Sequence, residues 1–193
     1  MRVEPLPESL YCRDQLAGVL VTAEQIAARV AELGAQITRD YQGDRPLVLG
    51  VLKGSFMFLA DLLRQIQLPC GLDFITVSTY GDEAISSHEM VVVEEPGAPL
   101  EGRRVLIVED IVDTGHTLAW LADWVGRSAA EVRICTLLDK PDRRETPVHL
   151  DYVGFEVPDE FLVGYGLDYA QCYRNLPYVA VLKPEVYERP AES

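Results

Sequence analysis

Three carboxylates crowd the end of an apolar run in the segment 105–117, which reads VLIVEDIVDTGHT. Glu109 and Asp110 are adjacent, and Asp113 follows two apolar residues later. Adjacent carboxylates can hold Mg²⁺, which prefers oxygen ligands, or can accept hydrogen bonds from sugar hydroxyls. The Thr-Gly-His-Thr that follows leads into a predicted helix, whose N-terminus is a natural anion site. A phosphorylated sugar would use both features, while the alternative is a strand–turn–helix junction in which the acids only cap the helix.

The surrounding pattern predicts strands that alternate with helices. Such alternation indicates an α/β fold with a mostly parallel twisted sheet flanked by helices on both faces. In such sheets ligands bind beyond the carboxyl ends of the strands, which is where the acids stand. The capping-box sequence at Thr22 marks the start of the first helix, and Ser55 is the expected cap of the second. Strands are predicted at 46–52, 72–80, 90–95, 104–110, 131–139, 152–157, 161–166 and 178–183, and helices at 22–41, 56–66 and 117–126.

Composition narrows the classes of partner. The 193 residues suit a single domain with a real core, and the net charge of −14 argues against nucleic acid and against an anionic membrane. No apolar run is long enough to span a bilayer, and no stretch resembles a signal peptide. The four cysteines are far apart and lack metal-ligand spacing. We therefore expect reduced thiols and a cytoplasmic protein.

Four segments together resemble a known family. The segment 105–117 resembles the phosphoribosyl-pyrophosphate (PRPP) signature of type I phosphoribosyltransferases. VLKGSFMFLADL (51–62) resembles the pyrophosphate loop of hypoxanthine-guanine phosphoribosyltransferases, and LLDKP (137–141) resembles their purine-recognition lysine segment. Residues 153–179 resemble their C-terminal hood. The resemblance covers about 45–182 and implies one domain, with a core at about 45–150 and a hood formed by about 1–20 and 151–182.

For the sugar phosphate, the resemblance implies one set of roles. Asp113 corresponds to the general base near N7 of the purine. Glu109 and Asp110 correspond to the pair that contacts the ribose hydroxyls, directly or through Mg²⁺. The loop from Asp113 to Thr117 corresponds to the 5′-phosphate cradle, in which Thr114, Gly115 and Thr117 take part and His116 contributes its backbone N–H.

For the pyrophosphate and the purine base, the resemblance implies a second set of roles. Leu52, Lys53 and Gly54 form the pyrophosphate loop, with a cis Leu52–Lys53 peptide, and Arg174 is a further pyrophosphate contact. Lys140 donates to O6 of the purine, so that 6-oxopurines are favoured over adenine, because an ammonium group only donates. The remaining implied roles are base stacking for Phe161, reading of the ring edge by the backbone of Leu162, a second Mg²⁺ contact for Asp168, and a mobile lid at 78–92 that begins with Thr79 and Tyr80.

The resemblance thus implies an Mg²⁺-dependent transfer of the 5-phosphoribosyl group from PRPP to N9 of hypoxanthine or guanine. The products would be IMP or GMP and pyrophosphate, made by a homodimer or homotetramer with small-molecule substrates only. Three alternatives stay open: a PRPP-sensing regulator of the same fold, an interaction protein with a dead site, and a transferase for another base such as xanthine or a pyrimidine. The groups that would read C2 are largely backbone, which leaves hypoxanthine, guanine and xanthine unranked.

Overall fold

The computed structural model describes residues 3–4, 12–80 and 89–188, with backbone alone at 79, 80 and 89. Two short 3₁₀ turns, at Arg13–Gln15 and Pro141–Arg143, accompany the regular elements. In chain order these elements are β1 (Leu16–Val21), α1 (Ala23–Asp40), β2 (Leu47–Leu52), α2 (Phe56–Gln65), β3 (Gly71–Tyr80), β4 (Glu89–Glu94), β5 (Arg104–Val112), α3 (His116–Gly126), β6 (Glu131–Asp139), β7 (Tyr152–Glu156), β8 (Leu162–Val163), β9 (Val179–Leu182) and the single turn α4 (Pro184–Tyr187).

A six-stranded sheet dominates the fold, with strand order β4-β3-β2-β5-β6-β7. Only the edge pair β3–β4 is antiparallel, and every other neighbouring pair in this sheet is parallel. The prediction of a mostly parallel sheet is therefore confirmed. Because the parallel strands all end at one edge, the loops that follow β2, β5 and β6 meet there.

Hydrophobic residues fill both faces of this sheet. On one face, Val48 of β2 packs in a cluster with residues of α1 and α2. Its neighbours Leu47 and Leu49 belong to a second cluster, which contains the buried side of α3. This alternation explains the continuously apolar strands, since each successive side chain enters the opposite core.

The two predicted helix starts differ in detail. Thr22 caps α1 with a complete capping box, because its hydroxyl accepts from the backbone of Gln25 and its own N–H donates to the Gln25 side chain. Ser55 stands at the N-cap position of α2, yet its hydroxyl makes no cap bond. It is fully buried and donates backward to the carbonyl of Val51, so the expected side-chain cap was wrong.

A small antiparallel sheet, of order β1-β9-β8, joins the N-terminal and C-terminal segments. Its core is a separate cluster that includes Leu16, Val163 and Leu182. The strand β1 was not predicted from the sequence. β7 falls in the range 151–182 expected for the hood, but it pairs with β6 in the large sheet. The division into core and hood remains a prediction.

Candidate active site

The carboxyl ends of β2, β5 and β6 place three loops side by side. β2 runs parallel to β5 from Leu47↔Val105, and β5 runs parallel to β6 up to Val112↔Asp139. Lys140, the residue after β6, donates its backbone N–H to the Val112 carbonyl at 2.9 Å. These pairings bring together the segments 52–54 and 109–113 and the residue Lys140.

Glu109 and Asp110 form an acid pair at the end of β5. The backbone N–H of Asp110 donates to Glu109 Oε1 at 3.1 Å, and that of Ile111 donates to Asp110 Oδ1 at 2.8 Å. Burial, followed by the neighbouring charge of Asp110, raises the pKa of Glu109 well above its ordinary value. Burial also raises the pKa of Asp110, which the nearby Arg174 opposes. The pair is therefore poised to accept a partner that neutralises its charge or donates hydrogen bonds to it.

The expected pyrophosphate loop lies directly against this pair. A Cβ atom on Gly54 would fall 1.7 Å from Asp110 Oδ2, so the backbone approaches the carboxylate at a distance that only glycine permits. The Leu52–Lys53 peptide is cis, as the resemblance implies, and Lys53 is exposed. Gly54 of the loop is therefore in direct contact with Asp110 of the acid pair.

The expected phosphate cradle caps the start of α3. Gly115 precedes the helix with φ at +86°, a conformation that favours glycine, and a Cβ there would lie 2.5 Å from the Thr146 carbonyl. A cavity of about 110 Å³ opens at this loop. The free N–H groups of the helix start suit a phosphate. The cavity is lined by Glu109, Ile111, Val112, Asp113, Thr114, Gly115, Thr117 and Leu118.

The His116 ring is engaged outside this cavity. Its Nε2 lies 2.9 Å from a carboxylate oxygen of Glu145, and its Nδ1 lies 2.6 Å from the Thr146 hydroxyl. Both ring nitrogens therefore have partners within the protein, and the expected role of the His116 backbone N–H stays a prediction.

Alternating charges run through the loops beyond Asp113. Arg143 donates from Nε to Asp113 Oδ1 at 2.9 Å, and its Nη1 lies 3.7 Å from Asp159. Asp159 also lies 3.7 Å from the ammonium of Lys140, a residue that is only 7% exposed. The sequence did not single out Arg143 or Asp159. The run DKPDRRE contains several charged residues, and the fold determines that Arg143 is the one that contacts Asp113, the candidate general base.

The C-terminal segment supplies the other expected contacts. Asp168 and Arg174 form an ion pair at 2.7 Å, and Arg174 also donates to the Gly166 carbonyl. Leu162 is buried in β8, while Phe161 is partly buried and packs against Tyr169 and Tyr187. The expected lid cannot be placed in the same way. Thr79 and Tyr80 end β3, but their side chains and residues 81–88 lie outside the described residues.

The carboxylates of the site suit a hard cation whose remaining coordination positions are filled by oxygens of the substrate. No cluster of three or more His, Cys, Asp or Glu side chains able to hold a metal occurs in the part of the chain that the structure describes. Glu109 and Asp110 nonetheless offer adjacent carboxylates, the first partly buried and the second buried, and Mg²⁺ is commonly held by one or two carboxylates together with phosphate oxygens. The residues present fit Mg²⁺ on these terms.

Comparison with known proteins places this site in a family. The family model for the phosphoribosyl transferase domain matches residues 19–170. The chain belongs to the phosphoribosyltransferase family. The hypoxanthine-guanine phosphoribosyltransferase of Bacillus subtilis is 50% identical over 171 residues, which are 88% of this chain and 95% of that protein. A crystal structure of a hypoxanthine phosphoribosyltransferase from Staphylococcus aureus aligns with a TM-score of 0.89 and 43% identity, covering 95% of this chain and all of that one.

Some phosphoribosyltransferase relatives are much longer. The bifunctional protein TilS/HprT of Listeria innocua is 49% identical over 181 residues, or 93% of this chain, yet the chain spans only 28% of its length. Among the helices that the structure describes, none is long and apolar enough to cross a membrane.

Proposed function

We propose that this protein transfers the 5-phosphoribosyl group of PRPP to N9 of a 6-oxopurine, hypoxanthine or guanine. The products are IMP or GMP and pyrophosphate, as in purine salvage. One observation carries the proposal: the acid pair Glu109–Asp110 lies between two loops, because Glu109 lines the cavity at Gly115 and Asp110 lies against Gly54. PRPP has the matching layout, with a ribose between a 5′-phosphate and a pyrophosphate.

The sugar end of the reaction follows from that layout. The N–H groups at the start of α3 and the hydroxyls of Thr114 and Thr117 bind the 5′-phosphate. Glu109 and Asp110 accept hydrogen bonds from the ribose hydroxyls. As N9 of the base forms its bond to C1, the bond from C1 to pyrophosphate oxygen breaks with inversion. The positive charge that develops at the sugar is stabilised by the carboxylates beside it.

The base end uses Asp113 and Lys140. Lys140 donates to O6, and a donor-only ammonium rejects the 6-amino group of adenine. The Asp113 carboxylate accepts the proton that the ring loses as N9 becomes a glycosidic nitrogen. Phe161 stacks on the base, and the Leu162 backbone reads the ring edge.

Pyrophosphate departs along the other face of the site. The backbone of Leu52, Lys53 and Gly54 and the guanidinium of Arg174 bind its oxygens, since a planar fork of donors suits phosphate. Glu109 and Asp110 would hold Mg²⁺ at the ribose, and Asp168 would hold a second ion at the pyrophosphate. When bound, Mg²⁺ supplies neutralisation of the leaving group's charge. Thr79 and Tyr80 would begin a lid that keeps water from the activated sugar.

We further propose the setting of the reaction. The family supports a homodimer or homotetramer. The free thiols of Cys70, Cys135 and Cys172 support the cytoplasm as its compartment. The acidic charge of −14 supports small molecules, rather than nucleic acid or membrane, as partners.

A spectrophotometric assay tests the activity. Purified protein with PRPP and Mg²⁺ is mixed separately with hypoxanthine, guanine, xanthine, adenine and uracil, and each reaction is repeated with EDTA. Turnover of hypoxanthine or guanine, absent with adenine and abolished by EDTA, is expected. Failure with every base, while PRPP still binds, would instead favour a PRPP-sensing regulator.

A further inference from the structure

The C-terminal turn α4 carries an aromatic residue onto the expected purine-stacking ring. The rings of Phe161 and Tyr187 lie nearly parallel, with centroids 4.8 Å apart and an angle of 24° between their planes. Tyr169 meets the same phenylalanine edge-on, at 5.5 Å and 89°. Phe161 is thus held in two perpendicular directions, by one ring on its face and another at its edge.

Tyr187 is held in this position by the backbone around it. The N–H of Leu182, at the end of β9, donates to the Phe161 carbonyl at 2.8 Å, so the C-terminal segment leaves the sheet beside that ring. Lys183 then donates its backbone N–H to the Gln15 carbonyl at 3.0 Å. One residue before the tyrosine, the Val186 carbonyl accepts from the Tyr169 hydroxyl at 3.3 Å. Tyr187 therefore packs against the hydrophobic cluster of the small sheet.

The stack covers one face of the Phe161 ring. An aromatic ring has two faces, and Tyr187 covers one of them while Phe161 remains partly exposed. A base that stacks on Phe161 must either use the opposite face or displace the tyrosine. Because Tyr187 is tied into the small sheet, the first arrangement keeps every observed contact.

We propose that Tyr187 is a positioning residue for the purine, and the inference rests on the transferase function proposed above. It fixes the plane of Phe161, so that the base meets a preset surface and forms the outer layer of a stack of three rings. A preset ring loses less freedom when the base binds, which strengthens binding of the base without touching the sugar.

The proposal assigns the positioning role to the ring of Tyr187, whose hydroxyl stays uncharged in its surroundings. Partial burial first, and then the carboxylates of Glu188, Glu160 and Asp159, raise the pKa of Tyr187. The phenol therefore stays neutral throughout the range in which the enzyme would be assayed. Removing its oxygen while keeping the ring should leave the positioning role intact.

The test compares Tyr187→Leu with Tyr187→Phe in steady-state kinetics. For the leucine variant we expect the KM for hypoxanthine to rise about 3- to 10-fold, in line with an aromatic pair interaction. The KM for PRPP and kcat should stay within about twofold of wild type, as expected for a residue that acts only through the stacking ring. The phenylalanine variant should restore the wild-type KM for hypoxanthine.

Equilibrium binding of GMP and the Tm of each variant accompany the kinetics. They report on the base site and on folding even where turnover is low. An unchanged KM for hypoxanthine in Tyr187→Leu overturns the proposal. So does a lowered KM, which would mean that the tyrosine blocks the face used by the base. A rise shared equally by PRPP and hypoxanthine, together with a lowered Tm in both variants, would reduce Tyr187 to a structural residue. Absence of turnover in the wild type would contradict the proposed function itself, so this failure is distinguished from failure of the positioning role of Tyr187.

Discussion

Arg143 and Asp113 form an ion pair at the edge of the candidate base site, with Arg143 Nε 2.9 Å from Asp113 Oδ1. Both side chains are close to half exposed, at 45% and 42%. The carboxylate that is proposed to accept the purine proton therefore has a cationic partner within the protein. The purine must therefore compete with Arg143 for the Asp113 carboxylate.

Removal of this competitor gives the first prediction. In Arg143→Gln we expect the KM for hypoxanthine to fall about two- to fivefold, because an exposed ion pair contributes roughly 0.2–1 kcal/mol. The matched control is Arg127→Gln, which breaks the exposed pair with Asp123 on α3 and should leave KM unchanged. A KM that rises in Arg143→Gln would show that the arginine assists Asp113 rather than competing with the base.

The acid pair predicts a conflict between function and stability. The pKa of Glu109 is raised in the folded state, so the folded protein keeps this proton to a higher pH than the unfolded chain does. Stability from this group is fully present below the ordinary glutamic acid pKa of about 4.3 and is lost as pH rises towards the folded pKa. Glu109→Gln removes this loss of stability at higher pH, and its amide oxygen can still accept the hydrogen bond from the Asp110 N–H.

The ligand-free Glu109→Gln protein should therefore have a higher Tm than wild type at pH 8, and the gain should vanish near pH 4. Its turnover should be strongly reduced. Thermal unfolding measured across this pH range checks the prediction, with the exposed Glu101→Gln as control. A gain in Tm that is the same at both pH values would contradict the titration of Glu109 as its cause.

These relationships also mark what sequence could predict. The parallel sheet and the positions of Glu109 and Asp110 follow from the apolar runs and from where those runs end. The strand β1 was missed because its partner β9 lies at the other end of the chain, and no local pattern indicates such pairing. The stacking of Tyr187 on Phe161 was missed because no local pattern indicates which side chains of the C-terminal segment meet.

Side-chain partners were harder to predict than elements. Ser55 stands at a helix start, as its type suggests, but burial turned its hydroxyl towards the Val51 carbonyl. Arg143 lies in a run of charged residues, and the sequence alone does not indicate which of them contacts Asp113. In both cases the deciding information is the burial and distance that the fold imposes, which no residue type carries.

The close approach of the two loops predicts an intolerant glycine. Gly54→Ala would place a methyl group 1.7 Å from Asp110 Oδ2, so either the loop or the carboxylate must move. We expect kcat/KM for PRPP to fall by more than about tenfold, because misplacement by 1 Å in a site can cost 100-fold. Gly126→Ala, whose Cβ would meet nothing nearer than 3.9 Å, is the control and should retain activity. Normal PRPP kinetics in Gly54→Ala would contradict the described contact.

The buried ammonium of Lys140 predicts base selectivity. Lys140→Met keeps the length of the side chain but removes the donor to O6, and a hydrogen bond to a charged group contributes about 1.5–3 kcal/mol. The kcat/KM for hypoxanthine should fall about 10- to 100-fold, while the KM for PRPP changes little. Lys183→Met, which removes an ammonium that donates to the Asp14 carbonyl, serves as control. Equal losses for PRPP and hypoxanthine would exclude a base-specific role.

The most direct test of the whole account compares hypoxanthine turnover by the wild type with that by Asp113→Asn, at saturating PRPP and Mg²⁺. The control Asp123→Asn changes an exposed acid on α3. We expect robust turnover by the wild type and by the control, and a loss of at least about 100-fold in kcat for Asp113→Asn, as expected for a general base. Wild-type kcat in Asp113→Asn would contradict the assignment of the base, and no turnover by the wild type would contradict the proposed reaction.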